Sequence, residues 1–178
     1  MQKKIVITGG PSSGKTTLIS ELERRGHHCI HEISREIIAK AQKDGVDQLF
    51  LTSPLLFSER LLEGRIQQFE NAEEDKFPLV FFDRGIPEIH AYMNCFGTEY
   101  PSVYREKSKK YTYTTIFILP PWKEIHATDT ERYEDYPLSV KIYTHIKEAY
   151  MELGYMPIEV PHGTIEDRTN FILAQLNF

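Results

Sequence analysis

Residues 4–17 read KIVITGGPSSGKTT, and this stretch decides the fold of the chain. It opens with β-branched residues, which predict a short buried strand over residues 4–8. Residues 9–16 then satisfy the pattern G-x-x-x-x-G-K-[ST] at every constrained position. The residues after the loop favour a helix from Lys15 to about Arg25, which ends at Gly26. A strand, a glycine-rich loop and a helix in this order are the context that a phosphate-binding loop (P-loop) requires.

The loop has the chemistry of a phosphate site. Its glycines let the backbone curl so that several N–H groups point to one place, and the following helix adds its positive N-terminal end. We expect Lys15 to reach the β- and γ-phosphates of ATP or a close relative, and the Thr16 hydroxyl to bind Mg²⁺. The nucleotide-binding residues predicted for the loop are Gly9, Gly10, Pro11, Ser12, Ser13, Gly14, Lys15, Thr16 and Thr17.

The rest of the chain alternates between strand and helix patterns. Further strands are predicted at residues 28–31, 79–82, 115–119 and 157–160. This alternation predicts an α/β protein with a three-layer α/β/α P-loop NTPase fold and a five-stranded, mostly parallel sheet. We expect one domain over residues 1–178, with a polar, proline-flanked lid segment at about residues 120–137. In such folds ligands bind at the carboxyl ends of the strands.

Composition and charge exclude several classes of protein. A chain of 178 residues can bury one core without disulfides, and a net charge of −5 argues against a general nucleic-acid binder. The apolar stretch at the N-terminus is too short for a signal peptide or a spanning helix, so we expect a cytoplasmic protein without membrane insertion. Cys29 and Cys95 are expected to be reduced and buried, and the histidines show no metal-ligand spacing.

Two acidic residues follow predicted strands, each with an arginine nearby. Asp83 ends a strand of apolar residues, so it would hold Mg²⁺ directly or through water, or else form a structural ion pair. Arg84 adds a planar cation that suits phosphate. Glu32 would accept the proton of an attacking hydroxyl or hold a substrate sugar, or else stabilise the next helix N-terminus. Arg35 would bind an acceptor phosphate or pair with Glu32.

The lid segment holds a further candidate cation. Phosphoryl transfer needs positive charge on the moving group and needs water kept out. We therefore expect Arg132 to close over the nucleotide from the lid, with Asp129 and Lys123 as weaker members. The alternative is that these are solvated loop charges.

The markers of other P-loop classes are absent from the sequence. The chain has neither the Asn-Lys-x-Asp guanine-recognition motif of G proteins nor the LSGGQ-like signature of ABC-type ATPases. An AAA+ ATPase would need an added helical lid domain, for which no length is left. The chain resembles the small P-loop kinases, the nucleoside and nucleotide kinase group. More closely, it resembles the compact ATPase/kinase family that includes the ribosylnicotinamide kinase domain of bifunctional NAD-salvage proteins. The resemblance is carried by Gly9–Thr17, Glu32-x-x-Arg35, Asp83-Arg84-Gly85 and the segment from Pro120-Pro121-Trp122 to Arg132.

This resemblance implies further roles for individual residues. Glu32 would act as the general base. A glutamine on the long helix, Gln67 or Gln68, would bind the nucleobase of the acceptor. Only one of these two can face the cleft, because neighbours on a helix differ by ~100°. Adenine would pack against the loop at Gly163 and Thr164. The alternative for the glutamines is a polar helix surface. From position and resemblance together, the predicted substrate-binding residues are Glu32, Arg35, Gln67 and Arg84.

Two functions follow from these residues. The first is a Mg²⁺- and ATP-dependent kinase of a nucleoside-like acceptor, with Lys15, Glu32, Asp83, Arg84 and Arg132 as catalytic groups and Thr16 and Asp83 as metal ligands. The second is a regulatory ATPase that hydrolyses ATP slowly and acts through a protein or lipid partner. We expect a monomer or homodimer that does not bind nucleic acid.

Overall fold

A computed structural model of the protein describes residues 2–46, 49–74, 76–125 and 135–177. Within these ranges the strands are β1 (Lys3–Gly9), β2 (His28–Ile30), β3 (Leu79–Asp83), β4 (Thr115–Leu119) and β5 (Ile158–Glu159). The helices are α1 (Lys15–Arg24), α2 (Ser34–Lys43), α3 (Leu49–Thr52), α4 (Pro54–Glu74), α5 (Pro87–Phe96), α6 (Val103–Lys110), α7 (Tyr136–Glu152) and α8 (Ile165–Gln175).

The strands form one parallel sheet in the order β2-β3-β1-β4-β5. The P-loop strand β1 lies at its centre, between β3 and β4. Ile7 of β1 is in register with Asp83 of β3, so the residues that follow these two strands emerge side by side. The sheet therefore brings the P-loop and Asp83 to the same edge.

Apolar side chains leave the sheet in both directions. Ile5 and Ile7 pack with Leu18 of α1 and Ile172 of α8, whereas Val6 packs on the other face, in the cluster that contains the apolar residues of α4, α5 and α7. Helices thus cover both faces, as a parallel sheet requires. The predicted three-layer fold with a five-stranded parallel sheet is confirmed.

The structure differs from the sequence prediction at several boundaries. The helix expected from about residue 142 begins at Tyr136, inside the stretch predicted as lid. Asp135 caps this helix by accepting a hydrogen bond from the Leu138 N–H at 2.9 Å, and Pro137 is tolerated because it lies in the first turn. The short helix α3 was not predicted, and β2 and β5 are shorter than expected.

The sequence also predicted that the two thiols are buried and that no helix spans a membrane. Cys95 is buried as expected, but Cys29 is only partly buried, and both are free. Burial raises the pKa of the Cys29 thiol to about 12, so it is protonated and unreactive at neutral pH. Among the described helices, none is long and apolar enough to span a membrane.

Candidate active site at the carboxyl edge of the sheet

The P-loop connects β1 to α1 through an unusual backbone path. Ser12 and Gly14 both have positive φ values, 56° and 81°, and the Ser13 hydroxyl donates to the Gly10 carbonyl at 2.9 Å. The loop rests on α7, where the Ser139 hydroxyl donates to the Pro11 carbonyl at 2.9 Å. A compact loop of this kind, held from behind, presents its N–H groups to one point in front.

Lys15 and Asp83 form an ion pair at the start of α1. Burial, followed by the charge of Arg84, lowers the pKa of Lys15, while Asp83 opposes the shift. Thr16 and Thr17 are exposed in the first turn of the same helix. The P-loop lysine, a hydroxyl and a strand-end carboxylate are therefore gathered within one turn of helix and one neighbouring strand.

A second buried charge cluster adjoins this pair. The Glu32 carboxylate accepts from Nη2 of Arg65 at 2.9 and 3.0 Å and lies 2.8 Å from Nε of Arg84. Arg84 also donates to Glu88 at 2.9 Å, and Arg65 donates to the Gly85 carbonyl at 2.8 Å. The cluster joins the residues after β2 and β3 to helices α4 and α5.

The charge of Glu32 is set by its two arginines. Burial alone would raise the pKa of this carboxyl, but Arg65, Arg84 and Lys15 outweigh burial and hold the pKa at about 2. Glu32 is therefore ionised at neutral pH. It can accept a hydrogen bond from a hydroxyl and orient it, although its intrinsic basicity is low.

Arg84 is held in a strained conformation. Its φ is 74°, a region that is costly for residues other than glycine, and its N–H donates to the Ile7 carbonyl at 3.1 Å. Glu88 braces the turn by accepting from the Gly85 N–H at 3.0 Å and from the Tyr150 hydroxyl at 3.2 Å. Strain that is held by buried partners in this way is characteristic of functional sites.

Arg65 and Glu88 were not found by sequence reasoning. Arg65 lies four residues after Leu61 and four before Phe69, both buried, so it occupies the apolar stripe of α4. Glu88 is buried in the first turn of α5. A charged residue on an apolar stripe was the available signal, because charges are rarely buried without a partner.

A cavity of about 440 Å³ lies between the P-loop, the segment after β4 and the start of α8. It is lined by Ser12, Gly14, Thr17, Trp122, Ile125, Gly163, Thr164, Ile165 and Arg168. Gly163 and Thr164, proposed from sequence to lie against adenine, are thus brought next to the residues that start α1. The cavity has the place and the size for the nucleoside part of a nucleotide whose phosphates lie in the loop.

The remaining predicted residues lie outside these two places. Gln67 donates to Asn71 at 2.7 Å and lines a second cavity of about 490 Å³ between α2 and α4, whereas Gln68 donates to the His31 carbonyl at 2.8 Å. Arg35 is exposed on α2. Lys123 is exposed in a 3-10 turn after β4.

Two further candidates cannot be placed. Asp129 and Arg132 fall outside the described residues. Within those residues, no group of three or more histidine, cysteine, aspartate or glutamate side chains could hold a metal ion by itself.

Comparison with known proteins gives one family and a set of similar folds. A family model described as an AAA domain matches residues 4–168. No curated protein matches the chain.

Similar solved structures include two that are described as kinases and share the fold of this chain. The deoxyadenosine kinase from M. mycoides with bound dATP has a TM-score of 0.71 at 16% identity, covering 99% of this chain and 100% of that one. The NadR protein in complex with NR gives 0.76 at 17% identity over 99% of this chain, which spans about half (51%) of that protein. The thymidylate kinase from Candida albicans gives 0.67 at 17% identity, with 99% and 91% covered.

At these identities the likeness concerns the fold, and it confirms the predicted resemblance to the small P-loop kinases. The family match extends over most of the chain, from β1 into α8. The chain therefore belongs to the AAA domain family and has the fold of the P-loop nucleoside and nucleotide kinases.

Proposed function

We propose that the protein is a Mg²⁺- and ATP-dependent kinase that phosphorylates a hydroxyl of a small, nucleoside-like acceptor. The observation that carries the proposal is the meeting of two charge clusters at one sheet edge, Lys15 with Asp83 and Glu32 with Arg84. ATP hydrolysis needs only the first cluster. The carboxylate of Glu32 beside it would offer the acceptor hydroxyl a hydrogen-bond partner.

The phosphoryl donor would lie across the P-loop. Its phosphates would meet the loop N–H groups and Lys15, and its base would enter the 440 Å³ cavity near Gly163 and Thr164. Thr16 and Asp83 offer the oxygen ligands that Mg²⁺ prefers. Bound there, the ion would neutralise charge that develops on the phosphates.

The acceptor hydroxyl would bind to Glu32. Its oxygen forms a bond to the γ-phosphorus while the bond from that phosphorus to the β-bridging oxygen breaks, and Glu32 takes the proton. Because such transition states are loose, orientation of the hydroxyl matters more than strong basicity, which suits a carboxyl with a pKa of about 2. Arg84 and, from the lid, Arg132 would stabilise charge on the transferred group.

The nucleoside-like acceptor is supported by the similar folds. The NadR structure is described as a complex with NR, and the kinase from M. mycoides as a deoxyadenosine kinase. In this chain Gln67 and Arg35 stay as proposed acceptor contacts, since both lie on the helices that flank Glu32.

The test is ADP release from Mg²⁺-ATP with and without nucleosides, nicotinamide riboside and nucleoside monophosphates. We expect one acceptor class to raise turnover many-fold, and Lys15→Ala to reduce that turnover at least a hundredfold. Lys109→Ala, which removes an exposed lysine on α6, is the matched control. ATP binding without stimulation by any acceptor would contradict kinase activity and favour the regulatory ATPase.

A further inference from the structure

Helix α7 carries two polar side chains, Ser139 and Tyr150, on its buried face. They are separated by about three helical turns and differ by about 20° around the axis, so they point in the same direction. Both residues are fully buried. The Ser139 hydroxyl donates to the Pro11 carbonyl of the P-loop, whereas the Tyr150 hydroxyl donates to the Glu88 carboxylate at 3.2 Å. One face of α7 thus contacts both the P-loop and the buried charge cluster.

The two oxygens of the Glu88 carboxylate have different partners. Oε1 accepts from the Gly85 N–H at 3.0 Å and from the Tyr150 hydroxyl at 3.2 Å, while Oε2 accepts from Nη1 of Arg84 at 2.9 Å. Burial and the charge of Glu88 raise the pKa of Tyr150, so its hydroxyl stays protonated and donates. Two donors therefore fix one oxygen of the carboxylate and leave the other directed at Arg84.

The guanidinium of Arg84 lies between the two halves of the proposed site. Its Nε is 2.8 Å from the Glu32 carboxylate, and its Nη1 donates to the Gly9 carbonyl at the start of the P-loop at 3.3 Å. The φ of 74° is costly for an arginine, so the partners of the residue have to keep it in this conformation. Glu88 is 1% exposed, which leaves it no surface for a substrate and makes it a support for Arg84 only.

We propose that Tyr150 is a positioning residue of the phosphoryl-transfer site, because it fixes Glu88 and, through it, Arg84. The inference rests on the proposed function, in which Arg84 stabilises charge on the transferred group. Such stabilisation requires that the cation is already in place when the charge develops. Without the Tyr150 hydroxyl, Oε1 of Glu88 keeps only the Gly85 N–H, so the carboxylate gains freedom and Arg84 loses its fixed position. The loss falls on the transfer step and not on nucleotide binding, which uses the P-loop.

Tyr150→Phe tests the proposal, since it removes the hydroxyl, keeps the buried ring and leaves the Glu88 carboxylate paired with Arg84. The Nε–H signal of Arg84 in a proton–nitrogen correlation spectrum, assigned by its loss in Arg84→Lys, reports on the guanidinium directly. In the nucleotide-free protein we expect this signal to shift and to exchange faster with water in Tyr150→Phe. With the acceptor present, kcat should fall about tenfold or more, while the dissociation constant of ADP stays within about twofold.

Tyr143→Phe is the matched control, because it removes a tyrosine hydroxyl on the same helix that donates to an exposed glutamate, Glu159, at 2.6 Å. It should change neither the Arg84 signal nor kcat. If Tyr150→Phe lowered the melting temperature but left the Arg84 signal unchanged, the role would be structural and the proposal overturned. A changed Arg84 signal without a loss of kcat would also overturn it. If no acceptor raised turnover of the wild type, the proposed function would fail, and the Arg84 signal would still decide whether Tyr150 positions this arginine.

Discussion

Glu32 balances the charge of two buried arginines, Arg65 and Arg84. Its carboxylate binds Arg65 and Arg84, and each of these is also tied to the turn at Gly85, through the carbonyl or through Glu88. Loss of the Glu32 charge would leave two buried cations to share Glu88. The same residue is therefore needed for the folded state and, in our proposal, for the acceptor.

Glu32→Gln should destabilise the protein at neutral pH by about 3–5 kcal/mol, because it breaks a buried ion pair from one side. The folded-state pKa is lowered from 4.5 to about 2. The stabilisation by this carboxylate is thus fully present above about pH 4.5 and is lost as the pH falls toward 2. Urea unfolding of both proteins from pH 7 to pH 3 should show the difference shrinking below pH 4.5.

Glu23→Gln is the control for this series, since Glu23 pairs with the exposed His31 at 2.7 Å. We expect it to change the free energy of unfolding by less than about 1 kcal/mol. A difference between Glu32→Gln and the wild type that stays constant down to pH 3 would contradict the lowered pKa.

Helix α8 positions the wall of the nucleotide cavity from its first turn. Thr164 caps the helix by accepting from the Asp167 N–H at 3.1 Å, and Arg168 follows four residues later. The cap and the cavity wall are thus parts of one helical turn, and the cavity depends on how this end of the helix is held.

Thr164→Ala should lower the free energy of unfolding by about 1 kcal/mol, because the cap is lost. It should also weaken nucleotide binding, since the loop at Gly163 loses its anchor. Thr164→Ser keeps the hydroxyl and should differ from the wild type by only a few tenths of a kcal/mol. Chemical unfolding and ADP titration measure both effects; equal behaviour of the two variants would contradict the role of the cap.

Helix α7 supports the P-loop from behind. A Cβ at Gly10 would come within 2.8 Å of the Ser139 carbonyl oxygen, a backbone atom that cannot rotate away. The P-loop and α7 therefore approach so closely that only glycine fits at position 10 without a shift of the backbone.

Gly10→Ala should destabilise the protein by about 1–3 kcal/mol and weaken ATP binding, because α7 or the loop must shift. Ser139→Ala serves as comparison: it removes the hydrogen bond to Pro11 without a clash, so it should cost about 1 kcal/mol. Melting curves and nucleotide titration give both quantities. A Gly10→Ala protein as stable as the wild type would show that the contact is not restrictive.

On the scale of the molecule, the site joins elements that are far apart in the chain. Lys15 lies 68 residues before Asp83, and Arg168 lies 155 residues after Ser13. A nucleotide that bridges the P-loop, β3 and α8 would stabilise the whole domain, since it binds only when all three are in place.

ATP with Mg²⁺ at about a hundred times its dissociation constant should raise the melting temperature by about 5–10 °C. Differential scanning fluorimetry with increasing nucleotide measures the shift. Lys15→Ala should show little of it under the same conditions, while Lys109→Ala should match the wild type. If nucleotide raised the melting temperature of Lys15→Ala as much as that of the wild type, the nucleotide would bind somewhere other than the P-loop.

The sequence by itself determined the P-loop, the parallel sheet and the strand-end residues Asp83 and Glu32. These are local patterns: a strand, a glycine turn and a helix follow each other within one segment, and ligand positions in parallel sheets lie where strands end. The lid role of Arg132 was also inferred from the sequence and stays a prediction.

Only the tertiary structure decided how charges are paired. It showed that Arg65 and Arg84 bind Glu32, that Glu88 braces Arg84, and that Arg168 lines the cavity without a carboxylate partner among the described residues. Helix periodicity gives the face on which such a side chain lies but not its partner. The partner is determined by the packing of elements that are distant in the chain, which no local pattern encodes.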